Sequence, residues 1–509
     1  MLTAITLQNF KGIGAAPMRL PIKPITLLFG ANSIGKSTIV QAIHYAREIL
    51  ERKNLDPDHT LAGGQTIDLG GFRNLVHDHD LNNPIVLRFD LDLSSTDLPE
   101  YSFNLLEEVP VNLSKEIKSA WVELTVEWSE YKNSPVLTLY KVGINDIPIA
   151  KIITTLDESN FFVEYDPKHP LLLNSNSEEK VKAESVQTDT EGMSDEEDSW
   201  ESLLFLNVQS SLPQWGECLL LYPEEVPEDY LQEHFGLIMT QILVGPGEIL
   251  REHLRRFRYL GPLRKTPSRN HHPTLTAEES LWADGTAAWD ALYDGDPGLL
   301  EEVSRWMSDA ELKTGYYLRL NQFHEIPTDS PLIVALLNNT ILDVIENPAE
   351  EIKKYPVSKK LVLVEETKGL ELLPQDVGVG ISQVVPVIVA ALDPGADIVA
   401  VEQPELHAHP ALQVGLGDLL ISQITKGKTF IIETHSEHLL LRLMRRIRET
   451  SGESLNNKAL RLTVKDLSVL FFEMIKQQTI VREMPLNEQG ELVKAWPGGF
   501  FEEGLREMF

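Results

Sequence analysis

Eight consecutive residues, Gly30-Ala31-Asn32-Ser33-Ile34-Gly35-Lys36-Ser37, fit the pattern G-x-x-x-x-G-K-[ST]. Glycines let such a loop turn its backbone N–H groups inward around phosphates, and a helix opening behind it aims its positive dipole end at the same point. Lys36 would supply charge to the outer phosphates and the Ser37 hydroxyl could ligate magnesium, with Thr38 following in the first helical turn. The stretch Gly30 to Thr38 is therefore a candidate cradle for ATP with Mg2+.

A loop of this kind needs a distant carboxylate to complete its magnesium site. The apolar run Ile398-Val399-Ala400-Val401 ends in Glu402, and a parallel sheet would deliver that acid beside the loop, as a second metal ligand with Ser37. Alone, a strand-end acid is ordinary; with the loop present it is the better candidate. Gln403, Pro404, Glu405, Leu406, His407, Ala408, His409 and Pro410 follow. His407 and His409 beside carboxylates suggest a metal pair, but no further ligands stand at a convincing spacing, and one nucleotide-bound magnesium accounts for the nearby acids. A second apolar run, Phe430-Ile431-Ile432, leads into Glu433-Thr434-His435-Ser436, which places His435 at a strand end where it could contact a terminal phosphate or an attacking water. His435 is thus a candidate for catalysis.

The elements around these residues are readable from periodicity. Leu2, Ala4, Ile5, Leu7 and Phe10 alternate, and Pro24-Ile25-Thr26-Leu27-Leu28-Phe29 suits a buried strand. Beyond Ser37, the apolar positions Ile39, Val40, Ala42, Ile43, Ala46, Ile49 and Leu50 recur at helical spacing, giving strand, loop, helix. From 85 to 165 short alternating segments predict an antiparallel meander. The stretch 174–202 is acidic and poor in large apolar residues, which predicts a mobile loop. Helical spacing dominates from 230 to 350, a hairpin turning at Lys368-Gly369 is expected over 359–373, and strand–helix alternation returns in the last third. The expected divisions are 1–60 and 356–509 for the two parts of the nucleotide-binding core, 61–170 for an antiparallel β lobe, 171–205 for the acidic loop, and 206–355 for an inserted, mostly helical region. No heptad repeat is sustained, so a long coiled-coil arm is not expected.

The chain has 509 residues, 42% of them hydrophobic, enough to bury a large core in two or three lobes. Forty-five basic residues face 77 acidic ones, a formal charge of -32 that argues against a non-specific grip on nucleic acid. Two local basic groups are the alternative: Arg251, Arg255, Arg256, Arg258, Arg264, Lys265 and Arg269, and Arg442, Arg445, Arg446 and Arg448. Solvated faces and internal anion partners explain both equally well. Cys218 is the single cysteine, there is no apolar run of about 18 residues, and the N-terminus lacks a basic-then-apolar leader, so a cytoplasmic protein without membrane attachment is expected.

Taken together, Gly30 to Ser37, Val401 to Pro410 and Glu433 to Ser436 resemble the Walker A, Walker B with D-loop, and His-switch of ABC/SMC-like AAA-type ATPases. They are most similar to the OLD-like group of stand-alone anti-phage defence ATPases, Septu-type and retron-associated. Further phrases fit that group: Asp68-Leu69-Gly70-Gly71-Phe72 with Leu75-Val76-His77, Tyr259 to Arg264, Asp376 to Gln383, and Trp496 to Glu503. The resemblance implies an α/β fold, a P-loop NTPase of ABC type with a mixed sheet. It places the family's signature loop at Gly378 to Gln383, with Gly378, Gly380 and Ser382 as candidate contacts to a phosphate held by another subunit. It implies a head-to-tail homodimer, with higher assemblies open, glued by ATP. Gln403 occupies the position of the family's catalytic glutamate, which makes Gln403, Glu405 and His435 the catalytic candidates the resemblance implies. Glutamine can orient a water but cannot accept its proton, so slow turnover is expected, with Glu405 or His435 assisting, and this suits a slow switch acting on a separate effector, a nuclease in antiviral defence. The alternatives are a nucleotide-gated scaffold with negligible turnover and a DNA-repair or SMC-like ATPase. The residues after His435 carry no spaced acidic cluster, so no nuclease is expected within this chain.

Overall fold

The computed structural model describes residues 1–102, 116–174, 200–205, 210–219, 221–222, 231–273, 278–294, 296–308, 310–339, 345–455, 457–476 and 478–499. Most of the acidic stretch and the tail phrase from Phe500 to Glu503 lie outside the described residues.

The strand that precedes the P-loop, β1 (Ile25–Gly30), is buried at every position. A strand with no solvated face must be covered on both sides, and the topology does this. β1 sits inside a six-stranded sheet whose other members are β2 (Phe257–Leu260), β3 (Ile398–Glu402), β4 (Thr429–Glu433), β5 (Leu467–Ile475) and β6 (Gln478–Glu483), in the order β2-β3-β4-β1-β5-β6. The first five are parallel and β6 closes the edge antiparallel to β5. Side chains alternate between two cores. Ile25, Leu27, Phe29, Val399, Val401, Phe430, Ile432 and Val469 join the core on one face, and Leu28, Ile398, Ala400, Ile431, Leu470 and Phe472 join the core on the other.

The first of these cores is completed by helices α3 (Val379–Leu392), α4 (Pro410–Ile424) and α5 (Glu437–Ser451). The other holds α1 (Thr38–Arg52), α2 (Gly245–Arg255) and a nine-stranded antiparallel sheet. That sheet contains the meander read from the sequence, but it also takes Leu2–Gln8 and Met18–Pro21, paired through Leu2–Gln8 to Ile85–Asp92. The first sixty residues therefore build parts of both sheets. Towards the far edge Glu201–Phe205 forms a strand, with Leu221–Tyr222 outside it. The hairpin turning at Lys368-Gly369 is present as Val357–Glu365 against Glu371–Leu372, with Tyr316–His324 as a third strand.

Helical periodicity over 230–350 hides two strands: β2, four residues long, and Tyr316–His324. β2 escapes because it follows directly on α2 and is too short to show alternation. Among the described residues no helix is long and apolar enough to cross a membrane. The longest described helices have 15 residues, too short for an extended coiled-coil arm.

Candidate functional site

β1 ends at Gly30 with φ +144, a backbone region that side chains avoid, and a Cβ there would lie 2.6 Å from the Phe472 carbonyl oxygen of β5. Gly35 (φ +96) makes the second turn of the loop. The loop is pinned from behind by Thr479 of β6, whose hydroxyl donates to the Ile34 carbonyl (3.1 Å) and whose amide donates to the Gly12 carbonyl (2.9 Å). Ala31, Asn32 and Ser33 are exposed, Ile34, Gly35 and Ser37 are half-buried, and Lys36 and Thr38 are buried. α1 begins at Thr38 with no side-chain cap on its first turn; the Thr38 amide donates to the Gly35 carbonyl at 3.1 Å, and the amides behind it are the ones an incoming acceptor would meet. The Ser37 hydroxyl, which could have capped them, goes elsewhere: it donates to Glu433 Oε2 at 3.0 Å. Lys36 Nζ donates to the Ala31 carbonyl (2.8 Å) and the Gly30 carbonyl (3.2 Å) and stands 3.4 Å from Glu433 Oε1.

The acid hydrogen-bonded to the loop is thus Glu433, with Glu402 beside it rather than in direct contact. β4 lies between β1 and β3, so its terminal residue comes first; Glu402 is directly opposite Glu433 in register, one strand farther out. Glu402 Oε1 accepts from the Tyr259 hydroxyl at 3.0 Å. Burial, and then the charge of Glu433, push the Glu402 carboxyl up to about 7, against the opposing pull of the Tyr259 hydrogen bond, Lys36 and Arg264. The same surroundings raise the Tyr259 hydroxyl, burial first and Glu402 next.

Beyond Glu402 the chain turns sharply: Gln403 has φ +45 and its amide donates to the Glu433 carbonyl at 2.7 Å. Both Glu405 oxygens are engaged, Oε1 accepting from the His435 amide (2.7 Å) and Oε2 from the Thr434 hydroxyl (2.8 Å). This carboxylate therefore braces the His435 turn. Burial and Lys36 hold the His435 imidazole below its ordinary value, which favours the neutral ring. His407 is exposed, and His409 caps α4, its Nδ1 accepting from the Ala411 amide at 3.2 Å. Among the described residues no group of three or more His, Cys, Asp and Glu side chains is arranged for a metal.

The segment assigned to the signature loop opens α3. Gly378 is its N-cap, and nothing lies within 4 Å of a Cβ built there. Gly380 is packed against the 403–408 turn, since its Cβ would meet the His407 carbonyl oxygen at 2.4 Å. Ser382 is buried and its hydroxyl donates to the Val379 carbonyl at 3.0 Å. The basic candidates are mostly paired internally: Arg256 with Asp397, Arg258 with Asp393, Lys265 with Asp284, Arg269 with Asp376, and Arg442 and Arg446 with Asp418. Glu433, Tyr259 and Arg264 are the residues to which the sequence reading gave no part in the site. The signal for Glu433 was there, a second apolar strand ending in an acid; that this strand stands next to β1 was not.

Residues 259–442 match the AAA_21 family, "AAA domain", whose description also names an AbiEii toxin and a Type IV TA system. Residues 462–509 match DUF3696, a family of proteins of unknown function. No curated protein matches the chain. Similar solved structures include an SMC head bound to the C-terminal winged-helix domain of ScpA (12% identity, 96% of this chain and 98% of that one, TM-score 0.38). Others are the SMC head domain from Thermotoga maritima (10%, 96% and 99%, 0.36) and a Pyrococcus furiosus SMC head domain with an extended coiled coil bound to the C-terminal domain of ScpA (10%, 100% and 98%, 0.37). The P-loop lies outside the AAA match, yet the sheet order brings its strand against the matched strand β4, with β3 next beyond. The glycine-turned loop, the parallel sheet and the two acid-ended strands, with the AAA match across the last two, give this chain an α/β fold resembling that of P-loop ATPases.

Proposed function

We propose that the chain binds ATP with Mg2+ at Gly30 to Thr38 and hydrolyses it slowly, as a head-to-tail two-subunit switch. The observation that carries this is the convergence of Ser37 and Lys36 on Glu433, with Glu402 in register beside it. The donor set fits the ligand: uncapped helix amides and a buried lysine for phosphates, and a hydroxyl with a strand-end carboxylate for a hard divalent cation. Ser37 and Glu402 would hold the ion. When bound, magnesium offsets negative charge on the phosphate oxygens.

The protein's own residues then divide the work. Lys36 exchanges the Gly30 and Ala31 carbonyls for phosphate oxygens, and Ser37 leaves Glu433. Gln403 can orient a water but takes no proton, and Glu405 is committed to the His435 turn. Glu433, released by both Lys36 and Ser37, is the carboxylate left to accept a proton. His435 contacts the terminal phosphate, while Gly378, with Gly380 and Ser382 shaping its helix, meets the nucleotide of the partner subunit.

Control of a separate effector, a nuclease in antiviral defence, is supported only by the resemblance of the motifs to OLD-like ATPases. Phosphate release from purified protein should fall to background in Lys36→Ala; turnover unchanged by that substitution would sink the reading. Gln403 favours one competing reading, a nucleotide-gated scaffold that hardly turns ATP over. A large gain in turnover in Gln403→Glu over a near-zero wild type would select the scaffold.

A further inference from the structure

Arg264 is 3% exposed, yet no carboxylate among the described residues forms an ion pair with it. Its guanidinium instead donates to main-chain carbonyls: to Glu402 (2.5 Å) and Gln403 (3.3 Å) through one nitrogen, and to Gln383 (3.4 Å) through another. Its Nε finds no partner among the described residues. Burial holds this group down to about 10. A buried cation hydrogen-bonded only to carbonyls, with Glu405 and Glu402 acting on its charge from beyond ion-pair distance and one donor unmet, costs stability relative to an apolar side chain of the same size. Stability therefore does not account for it.

What it does join is two functional segments. The Gln383 side chain, on the second turn of α3, accepts from the Arg264 amide (3.0 Å) and donates to the Arg264 carbonyl. This double hydrogen bond locks the Arg264 backbone to the helix that follows the signature turn. The Arg264 guanidinium then grips the carbonyl of Glu402, whose carboxylate is held at its other end by Tyr259 of the same 259–264 segment. Any shift of α3 along its axis must move Arg264, and with it both Glu402 and the strained Gln403 turn.

We infer that Arg264 is a positioning residue that couples the signature turn, where α3 starts, to the acid-bearing turn at 402–403. This rests on the two-subunit reading above. There, the signature turn of one subunit touches the nucleotide of the other, so Arg264 makes hydrolysis at a subunit's own site depend on occupancy of its partner's.

The test uses the full chain as wild type, Arg264→Met, Gln383→Met and Lys36→Ala. Affinity is read with a fluorescent ATP analogue, and turnover by phosphate release across ATP concentrations. The wild type should show a Hill coefficient clearly above 1. Both Met variants should bind the analogue within about twofold of wild type, lose about 10-fold in kcat, and show a Hill coefficient near 1. Retention of wild-type cooperativity in Gln383→Met would overturn the inference, as would a fall in affinity and melting temperature alongside kcat, which is the signature of a merely structural role. Should Arg264→Met fail to fold, Gln383→Met, which leaves the arginine in place, decides alone. A wild-type Hill coefficient of 1 also overturns the coupling while leaving the ATPase reading intact, whereas wild-type turnover in Lys36→Ala removes that reading itself.

Discussion

Lys36 and Ser37 both end on Glu433, an acid that the loop pattern alone does not call for. If it is the proton acceptor left by Gln403, Glu433→Gln should lower kcat by about 100-fold. ATP affinity should not weaken, because the same change frees Lys36 from a competing partner; equilibrium binding and phosphate release on one preparation check both. A second residue on α1 makes a prediction about stability. His44 is 1% exposed, its Nδ1 3.1 Å from the Thr60 hydroxyl and its ring edge-on to Phe257 and Tyr259. Burial, then Arg47, hold its pKa down to about 3. Below about pH 6.5 the unfolded chain takes up a proton that the folded ring refuses, so stability is whole above that value and falls as pH drops towards 3. Between pH 7 and 5 the loss from this group approaches about 2 kcal/mol. Urea unfolding should show it in the wild type, and His44→Gln should lack that increment; equal pH slopes would refute the assignment.

Elements place these residues, and here the limits of sequence reading are physical. The P-loop and the strands β1, β3 and β4 were legible because a strand buried on both faces must be a short apolar run, and a phosphate cradle must carry glycines at its turns. That β4 separates β1 from β3, and so presents Glu433 first, depends on long-range pairing that periodicity does not encode. β2 was hidden by its brevity, and the part of Tyr259 and Arg264 was hidden with it. Close packing between elements escaped for the same reason. Gly380 lets α3 rest on the 403–408 turn. Gly380→Ala puts a methyl group against a main-chain carbonyl that has no rotamer to yield, and should cost about 1–3 kcal/mol in unfolding measurements. Turnover should fall further than nucleotide affinity; a variant as active as wild type would mean that helix and turn separate without consequence.

At the scale of the molecule, two cores sandwich the parallel sheet, and in the two-subunit reading proposed above the open face at Gly378 becomes a site only against a second subunit. Mass measured in solution should double on adding a slowly hydrolysed ATP analogue and stay monomeric in Lys36→Ala; a wild-type mass indifferent to nucleotide would remove the two-subunit reading. Because most of the basic candidates are spent on internal acids, duplex DNA should change turnover by less than about twofold at physiological salt. The position of β1 has a further consequence, for how the chain is made. This strand is translated about four hundred residues ahead of its neighbours in the sheet, Thr429–Glu433 and Leu467–Ile475. It cannot be zipped into place until both have left the ribosome. Folding must then close a loop of some four hundred residues, a slow search by the entropy of long chains. No nascent fragment that stops short of Leu467 can enclose β1, so on the ATP-binding reading proposed above, capture of the nucleotide waits for that strand to emerge.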